Sequence, residues 1–239
     1  MARAATKLKA EEVKAEPIKH QCEFCKKSFS AEKTLFSHTC EKKRRWMWKD
    51  EKYAMLGFRA YQIFYDIAQR SKKQKTQEDF INSQYYLGFT KFGRYLQSIN
   101  AIEPYGFVEF LIRSNIKLDD WSTPRAYEIW VRELGKKEHP MKAYERNVLL
   151  MEQWAKETGN EWTDFFRLVN PQLATKWIVG GRISPWLLYS VGDSLVERLS
   201  DEQLNMVKEL IEPNFWFKKF DQYEEEVSII REEMRSVGV

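Results

Sequence analysis

The chain has 239 residues, and its 39 Lys and Arg against 35 Asp and Glu give a net charge of +4. No apolar run approaches the ~20 residues that a membrane-spanning helix needs, and residues 1–19 lack the apolar stretch of a secretory signal. We therefore expect a cytoplasmic protein with no membrane partner, in a reducing compartment where cysteines bind metal rather than form disulfides.

The charge is distributed unevenly along the chain. Residues 1–100 contain 21 Lys and Arg against 11 Asp and Glu, a net charge of +10, whereas residues 101–239 carry −6. A basic first part favours contact with nucleic-acid phosphates, and the acidic remainder need not touch them. The alternative is ordinary solvated surface charge.

Residues 1–19 alternate Lys, Glu and Ala without an aromatic residue, which is typical of a flexible tail or a fraying helix. The next segment has the pattern of a metal site, since a Cys-x-x-Cys pair is followed by a histidine and a third cysteine. This pattern predicts a zinc ion held by Cys22, Cys25, His38 and Cys40. The alternative is that the three cysteines are free thiols of an intracellular protein.

Two apolar residues fall where a ββα zinc finger of the C2H2 type needs its small core. Phe29 lies four positions after Cys25, and Leu35 lies six after Phe29 and three before His38. A hairpin would present the thiolates and a short helix the histidine, around a core too small to fold without metal. We assign residues 20–45 to this finger and its basic extension.

The fourth ligand departs from the usual spacing of three to five residues. Cys40 is only two residues after His38, an offset of about 200° on a continuous helix. The finger helix must therefore end or tighten at Thr39 for Cys40 to reach the ion. His20 is the competing fourth ligand, and we favour Cys40.

The finger's base-facing positions predict weak sequence readout, because Ala31, Thr34 and Ser37 are too short for bidentate contacts with guanine or adenine. The cations in and after the finger suit phosphate instead, and predict affinity for nucleic acid in general. They are Lys26, Lys27, Lys33, Lys42, Lys43, Arg44 and Arg45. The alternative is a finger that only stabilises the N-terminal part or docks a protein.

From Trp46 onward apolar residues recur every three or four positions, with Pro or Gly between segments. This pattern predicts a mainly α domain over 46–239, either as one body or as two lobes, 46–100 and 101–239. The predicted helices cover about 50–70, a segment opened by Thr76, 85–99, 103–115, 123–136, 140–157, 161–169, 171–179, 185–199, 201–211 and 221–236.

Thirteen aromatic rings between residues 46 and 95 interleave with cations, among them Lys72, Lys73 and Lys75 of a basic loop. Such interleaving suits a channel for a single strand, where bases stack on rings. Rings at helical spacing are nevertheless usually core, so we expect most of them to be buried. The candidates for base stacking are Trp46, Trp48 and one of Tyr85 and Tyr86.

The last predicted helix sets Val227, Ile230 and Met234 on one stripe beside five glutamates. DNA should repel such a surface, so the helix either holds a protein partner or packs its stripe on the domain itself.

Groups for catalysis are scarce. Outside the finger region the single histidine is His139, and the sequence contains no Gly-rich phosphate loop and no paired-carboxylate motif. Gly180-Gly181-Arg182 is too short for a phosphate cradle and is predicted to link two helices. We expect a protein that is not an enzyme.

A dispersed set of residues within 100–200 carries a resemblance to a known family. The set comprises Phe110-Leu111-Ile112-Arg113-Ser114-Asn115, Trp121, Glu145, Phe165-Phe166 before Asn170-Pro171, and Ile183-Ser184 with Leu187, Leu188 and Tyr189. On these residues, the segment resembles the C-terminal half of the helicase-loading protein family of T-even-like phages. The resemblance implies an all-helical fold, binding to forked and single-stranded DNA, and a replicative helicase or single-strand binding protein as partner. That family has an HMG-box-like N-terminal half in place of a finger.

These patterns together predict a non-catalytic, zinc-dependent accessory protein that binds nucleic acid, in phage DNA replication or recombination. Single-stranded or forked DNA is expected ahead of a specific duplex sequence. The alternative is a protein-interaction module, such as a transcription-modifying or virion-assembly factor, with a purely structural finger.

Overall fold

The computed structural model describes residues 20–69 and 73–239, so the predicted tail and Lys72 lie outside the described residues. The chain divides into two compact units, residues 1–50 and 51–239, which are described separately below. In the described ranges, no helix is long and apolar enough to cross a membrane.

The first unit consists of a small hairpin and two short helices. Strands β1 (His20–Gln21) and β2 (Ser28–Phe29) pair antiparallel, with His20 opposite Phe29. Lys26 makes the turn with a left-handed backbone, φ 61°. Helix α1 covers Glu32–Ser37 and helix α2 covers Glu41–Met47.

All regular elements in the described residues of the second unit are helices, which confirms the predicted mainly α fold. Short 3₁₀ turns lie at Leu118–Asp120 and Trp162–Asp164. Its helices are α3 Lys52–Ala68, α4 Gln77–Asn82, α5 Tyr86–Ser98, α6 Pro104–Arg113, α7 Pro124–Lys137, α8 Pro140–Thr158, α9 Phe165–Leu168, α10 Pro171–Val179, α11 Pro185–Val191, α12 Asp193–Val196, α13 Asp201–Val207, α14 Pro213–Gln222 and α15 Glu224–Ser236.

Local signals explain where several of these helices begin. Proline occupies the first position of α6, α7, α8, α10, α11 and α14, where its missing N–H has no intrahelical partner to lose. Thr76 and Asp79 form a capping box at α4, and Ser200 and Gln203 form another at α13.

In the second unit, the structure breaks one predicted helix into two α-helices and adds one α-helix that was not predicted. The predicted helix over 185–199 is broken at Gly192, which lies between α11 and α12. The added helix is α14, which lies directly before the last helix. The start of α14 is capped by the Glu212 carboxylate, which accepts hydrogen bonds from the N–H groups of Asn214 and Phe215.

The buried apolar side chains of the second unit form two clusters. Cluster 1 runs along the chain from Ala60 to Val131 and includes Phe92, Phe107 and Trp121. Cluster 2 runs from Ala143 to Met234. Helices α3 to α7 therefore surround one core, and α8 to α15 surround the other.

The apolar stripe of α15 belongs to cluster 2. Val227, Ile230 and Met234 are all buried, so the stripe packs on the domain itself, as one of the two sequence-based alternatives proposes. Removing residues 221–239 would expose this core. Such a truncation is therefore unsuitable as a test of partner binding.

Helices α3 and α5 cross at very short range because both carry glycine at the crossing point. A Cβ on Gly93 would lie 2.0 Å from the carbonyl oxygen of Tyr53, and one on Gly57 would lie 2.6 Å from that of Phe89. Arg94 lies beside the same contact, with its guanidinium 3.6 Å from the centre of the Tyr53 ring. Any larger residue at either glycine must push the two backbones apart.

We expect Gly93→Ala to lower the free energy of unfolding by at least about 2 kcal/mol, because overpacking here meets backbone. Gly135→Ala is the matched control, since Gly135 is also helical and its Cβ would meet only a Trp216 ring atom, at 3.9 Å. We expect this control to gain up to about 1 kcal/mol. Urea denaturation measures both, and a Gly93→Ala protein as stable as wild type would contradict the close crossing.

Candidate metal centre

Four ligand atoms converge in the first unit. The three cysteine Sγ atoms and a ring nitrogen of His38 all lie within 4.8 Å of one another. Cys22 Sγ is 4.0 Å from Cys40 Sγ, and Cys25 Sγ is 3.3 Å from His38 Nε2. The structure thus brings together the four ligands predicted from the sequence, and they could hold a metal ion. The competing candidate His20 is not a member of this group.

The hairpin fixes the first two ligands. The N–H of Cys22 donates to the carbonyl of Lys27 at 2.9 Å, and the N–H of Lys26 donates to the carbonyl of Cys22 at 2.9 Å. A backbone hydrogen bond from Cys25 lowers the pKa of the Cys22 thiol. At Cys22 the hairpin therefore favours the thiolate, which is the form that binds metal.

The unusual spacing of His38 and Cys40 is resolved by an early end of the finger helix. Helix α1 ends at Ser37, two residues before the expected end at Thr39, and His38 has an extended backbone with φ −69° and ψ 120°. Cys40 is also extended, with φ −79° and ψ 164°. In an extended segment, residues two apart project to the same side. His38 and Cys40 therefore reach one site without a helical turn between them.

Helix α2 is tied to the ligands at its start. Cys40 is its N-cap, and the Sγ atom accepts the N–H of Lys43 at 3.4 Å. Lys43 Nζ donates to the carbonyl of His38 at 3.2 Å. These two contacts fix the start of α2 against the ligands and hold Cys40 Sγ in place.

Apolar packing in the first unit is slight. Cys22 is buried, with 3% of its surface exposed, whereas Phe29 and Leu35 are only half-buried. The Phe29 ring lies 4.7 Å from the His38 imidazole, centre to centre. So small an apolar core would depend on a bound ion for its stability.

The predicted phosphate-binding cations fall into two groups. Lys43 and Arg45 are half-buried and already engaged, Lys43 with the His38 carbonyl and Arg45 with the carboxylate of Glu41. The other phosphate-binding cations predicted in residues 20–45 are exposed to solvent. They are Lys26, Lys27, Lys33, Lys42 and Arg44.

The aromatic candidates separate cleanly by exposure. Trp46, Trp48 and Tyr85 are 43%, 45% and 45% exposed, whereas Tyr86 is buried among the rings of cluster 1. Near the basic loop, Lys73 is exposed, and Lys75 places its Nζ 4.7 Å from the centre of the Tyr65 ring.

Two exposed apolar side chains of the first unit were missed by the sequence analysis. Phe36 is 87% exposed on α1, and Met47 is 65% exposed on α2 between Trp46 and Trp48. The helix that carries Met47 was also missed. One sequence signal could have predicted this helix. Glu41 and Arg45 carry opposite charges four residues apart, a spacing that stabilises a helix.

No protein-family model, no curated protein and no solved structure matches this chain. The resemblance to the phage helicase-loading family therefore remains a prediction from the residues that suggested it.

We expect the purified protein to carry one metal ion per chain, and Cys40→Ser to lower its metal affinity by at least tenfold, because a thiolate ligand is lost. His20→Gln is the matched control and should keep the metal content of wild type. Elemental analysis and a chelator competition measure both. Metal lost from His20→Gln and kept in Cys40→Ser would show that His20 is the fourth ligand.

Proposed function

We propose that the chain is a non-catalytic, zinc-dependent nucleic-acid-binding accessory protein. The proposal rests on one observation: exposed cations and exposed indoles lie in the same small unit as the Cys3His ligand group. Cations follow the phosphates, and rings stack on bases, in proteins that bind single strands.

The donor set supports zinc as the metal. Three thiolates and one imidazole are a common ligand set of structural zinc. For Zn–S of about 2.3 Å and Zn–N of about 2.05 Å, a tetrahedral site separates two sulfurs by about 3.8 Å and sulfur from nitrogen by about 3.5 Å. The distances here are 4.0 Å and 3.3 Å, close to both values. Zinc bound there would hold the hairpin, α1 and the start of α2 together.

Binding is proposed to be weakly selective for sequence. The base-facing positions Ala31, Thr34 and Ser37 offer short side chains, while exposed lysines surround the hairpin and helix α1. Such a surface contacts phosphates and leaves base edges unread. Single-stranded or forked DNA is preferred because Trp46 and Trp48 need unpaired bases to stack on.

The proposed place of this activity is phage DNA replication, with a replicative helicase or single-strand binding protein as partner. This part rests on the resemblance of residues 100–200 to the helicase-loading family. The acidic charge of residues 101–239 is compatible with a protein partner and opposes contact with DNA there.

A second candidate function is a protein-interaction module with a structural finger. Phe36 favours it, because a phenylalanine with 87% of its surface exposed suits an apolar partner. Salt separates the two functions, since phosphate binding weakens steeply as salt rises and apolar docking does not.

We expect Lys42→Ala/Arg44→Ala to weaken binding to unrelated DNA sequences alike, and to flatten the slope of log K against log salt by about 0.7 to 0.9 per lost contact. Fluorescence anisotropy at several salt concentrations measures this. Lys156→Ala/Lys208→Ala is the control of equal charge, since both lysines are exposed in the acidic part. Equal losses in both double variants would mean that net charge, rather than the finger, binds DNA.

We expect Trp48→Ala to weaken binding to single-stranded DNA by fivefold or more and binding to duplex by less than twofold, because stacking contributes about 1–3 kcal/mol per base. Trp48→Phe keeps a ring and should recover most of the affinity. The same titrations measure all three proteins. An equal loss on duplex and single strand would remove stacking from the proposal.

A further inference from the structure

A cavity of about 350 Å³ lies in the second unit, where clusters 1 and 2 meet. Val131 of cluster 1 and Ile178 and Trp216 of cluster 2 line it, together with Leu210, which packs against both clusters. Phe215 stands edge-on to Trp216, with the ring centres 5.4 Å apart. The space falls within the range of volumes typical of small-molecule sites, and its wall is mainly apolar.

The charged side chains around the cavity are already paired within the protein. Arg146 makes a bidentate ion pair with Glu138, with Nε 3.0 Å from Oε1 and Nη2 2.7 Å from Oε2. At the solvent side, Arg132 pairs with Glu209 at 2.5 Å. Glu212, as described above, caps α14 through two backbone N–H groups. Lys136, the remaining charged residue of the wall, pairs with Glu133 at 2.9 Å. Every cation of the wall therefore has a carboxylate partner within the protein, and an anionic ligand would find no unpaired counter-charge there.

Gly135 keeps the α7 side of the cavity open. Its φ is not in the left-handed region, so its backbone conformation suits any residue. A Cβ there would meet only the Trp216 ring, at 3.9 Å. At positions 57 and 93, by contrast, close backbone contact requires glycine. Glycine in a helix costs up to about 1 kcal/mol relative to alanine. Neither the backbone conformation nor a close contact requires glycine at position 135. A larger side chain there would fill the empty space of the cavity.

We propose that this cavity is a binding site for a small, uncharged, mainly apolar molecule that contains aromatic rings. The volume admits such a molecule, and the rings of Phe215 and Trp216 offer it edge-to-face contacts. The paired cations of the wall discriminate against an anionic ligand, because an anion would lose its hydration without gaining a partner. The site is independent of the metal cluster.

Two fluorescent dyes of nearly the same shape test the ligand class. N-phenyl-1-naphthylamine is neutral, and 1-anilinonaphthalene-8-sulfonate adds one sulfonate to the same rings. We expect the neutral dye to bind one per chain, with saturation, and to raise the melting temperature. The sulfonated dye should bind at least tenfold more weakly. Absence of saturable binding by the neutral dye, or equal affinity for both dyes, would overturn the proposal.

Substitutions at Gly135 test the location. Gly135→Leu fills the cavity and should lower the affinity for the neutral dye at least tenfold, while Gly135→Ala should bind within about threefold of wild type. Should Gly135→Leu fail to fold, Leu210→Phe fills the space from another element and carries the same expectation. Phe217→Ala, which removes an exposed ring outside the cavity, is the control for surface binding. Dye affinity that survives in folded cavity-filling variants, or that falls only in Phe217→Ala, would place the dye elsewhere and refute the assignment.

Discussion

The helical unit is organised around one half-buried guanidinium, that of Arg146. Arg146 donates from Nε and Nη2 to both carboxylate oxygens of Glu138, and from Nη1 to the carbonyls of Gly181 and Arg182 at 2.7 Å and 3.0 Å. The Glu138 side chain is only 2% exposed, so an unpaired carboxylate there would be strongly destabilising. One side chain of α8 thereby connects the end of α7 to the link between α10 and α11.

The link between α10 and α11 requires glycine at position 181. Gly181 has φ 73°, and a Cβ on it would lie 2.6 Å from Ile102 and 2.9 Å from Val131. Tyr127 donates its hydroxyl to the Gly180 carbonyl at 3.1 Å, and burial raises the pKa of Tyr127 to about 12, so the donor proton is retained at neutral pH. Tyr127 of cluster 1 and Arg146 of α8 thus both donate hydrogen bonds to the Gly180–Gly181 turn, which links the two apolar clusters. Apolar packing is incomplete at this junction, which is where the cavity lies.

Sequence reasoning succeeded where a local signal determines the structure. Proline at a first helical position and the Thr76 and Ser200 capping boxes act within one turn, so they could be read without the fold. The metal ligands were found for the same reason, since Cys22, Cys25, His38 and Cys40 lie within 19 residues. The Gly192 break was missed although Gly192-Asp193-Ser194 is a local turn signal, because a single glycine inside a helical pattern is often tolerated. The cavity was also missed, because it depends on how two clusters meet.

The charge asymmetry of the sequence acquires a different meaning once burial is known. The acidic last helix does not offer its apolar stripe to a partner, since Val227, Ile230 and Met234 are core. What α15 leaves exposed is chiefly charge, with Glu224, Glu225, Glu232 and Glu233 in contact with solvent. A protein partner of α15 would therefore have to recognise carboxylates, and its affinity would fall with salt as DNA binding does. Salt dependence thus separates DNA binding from apolar docking at Phe36, whereas separating DNA from a basic protein partner requires variants confined to one unit.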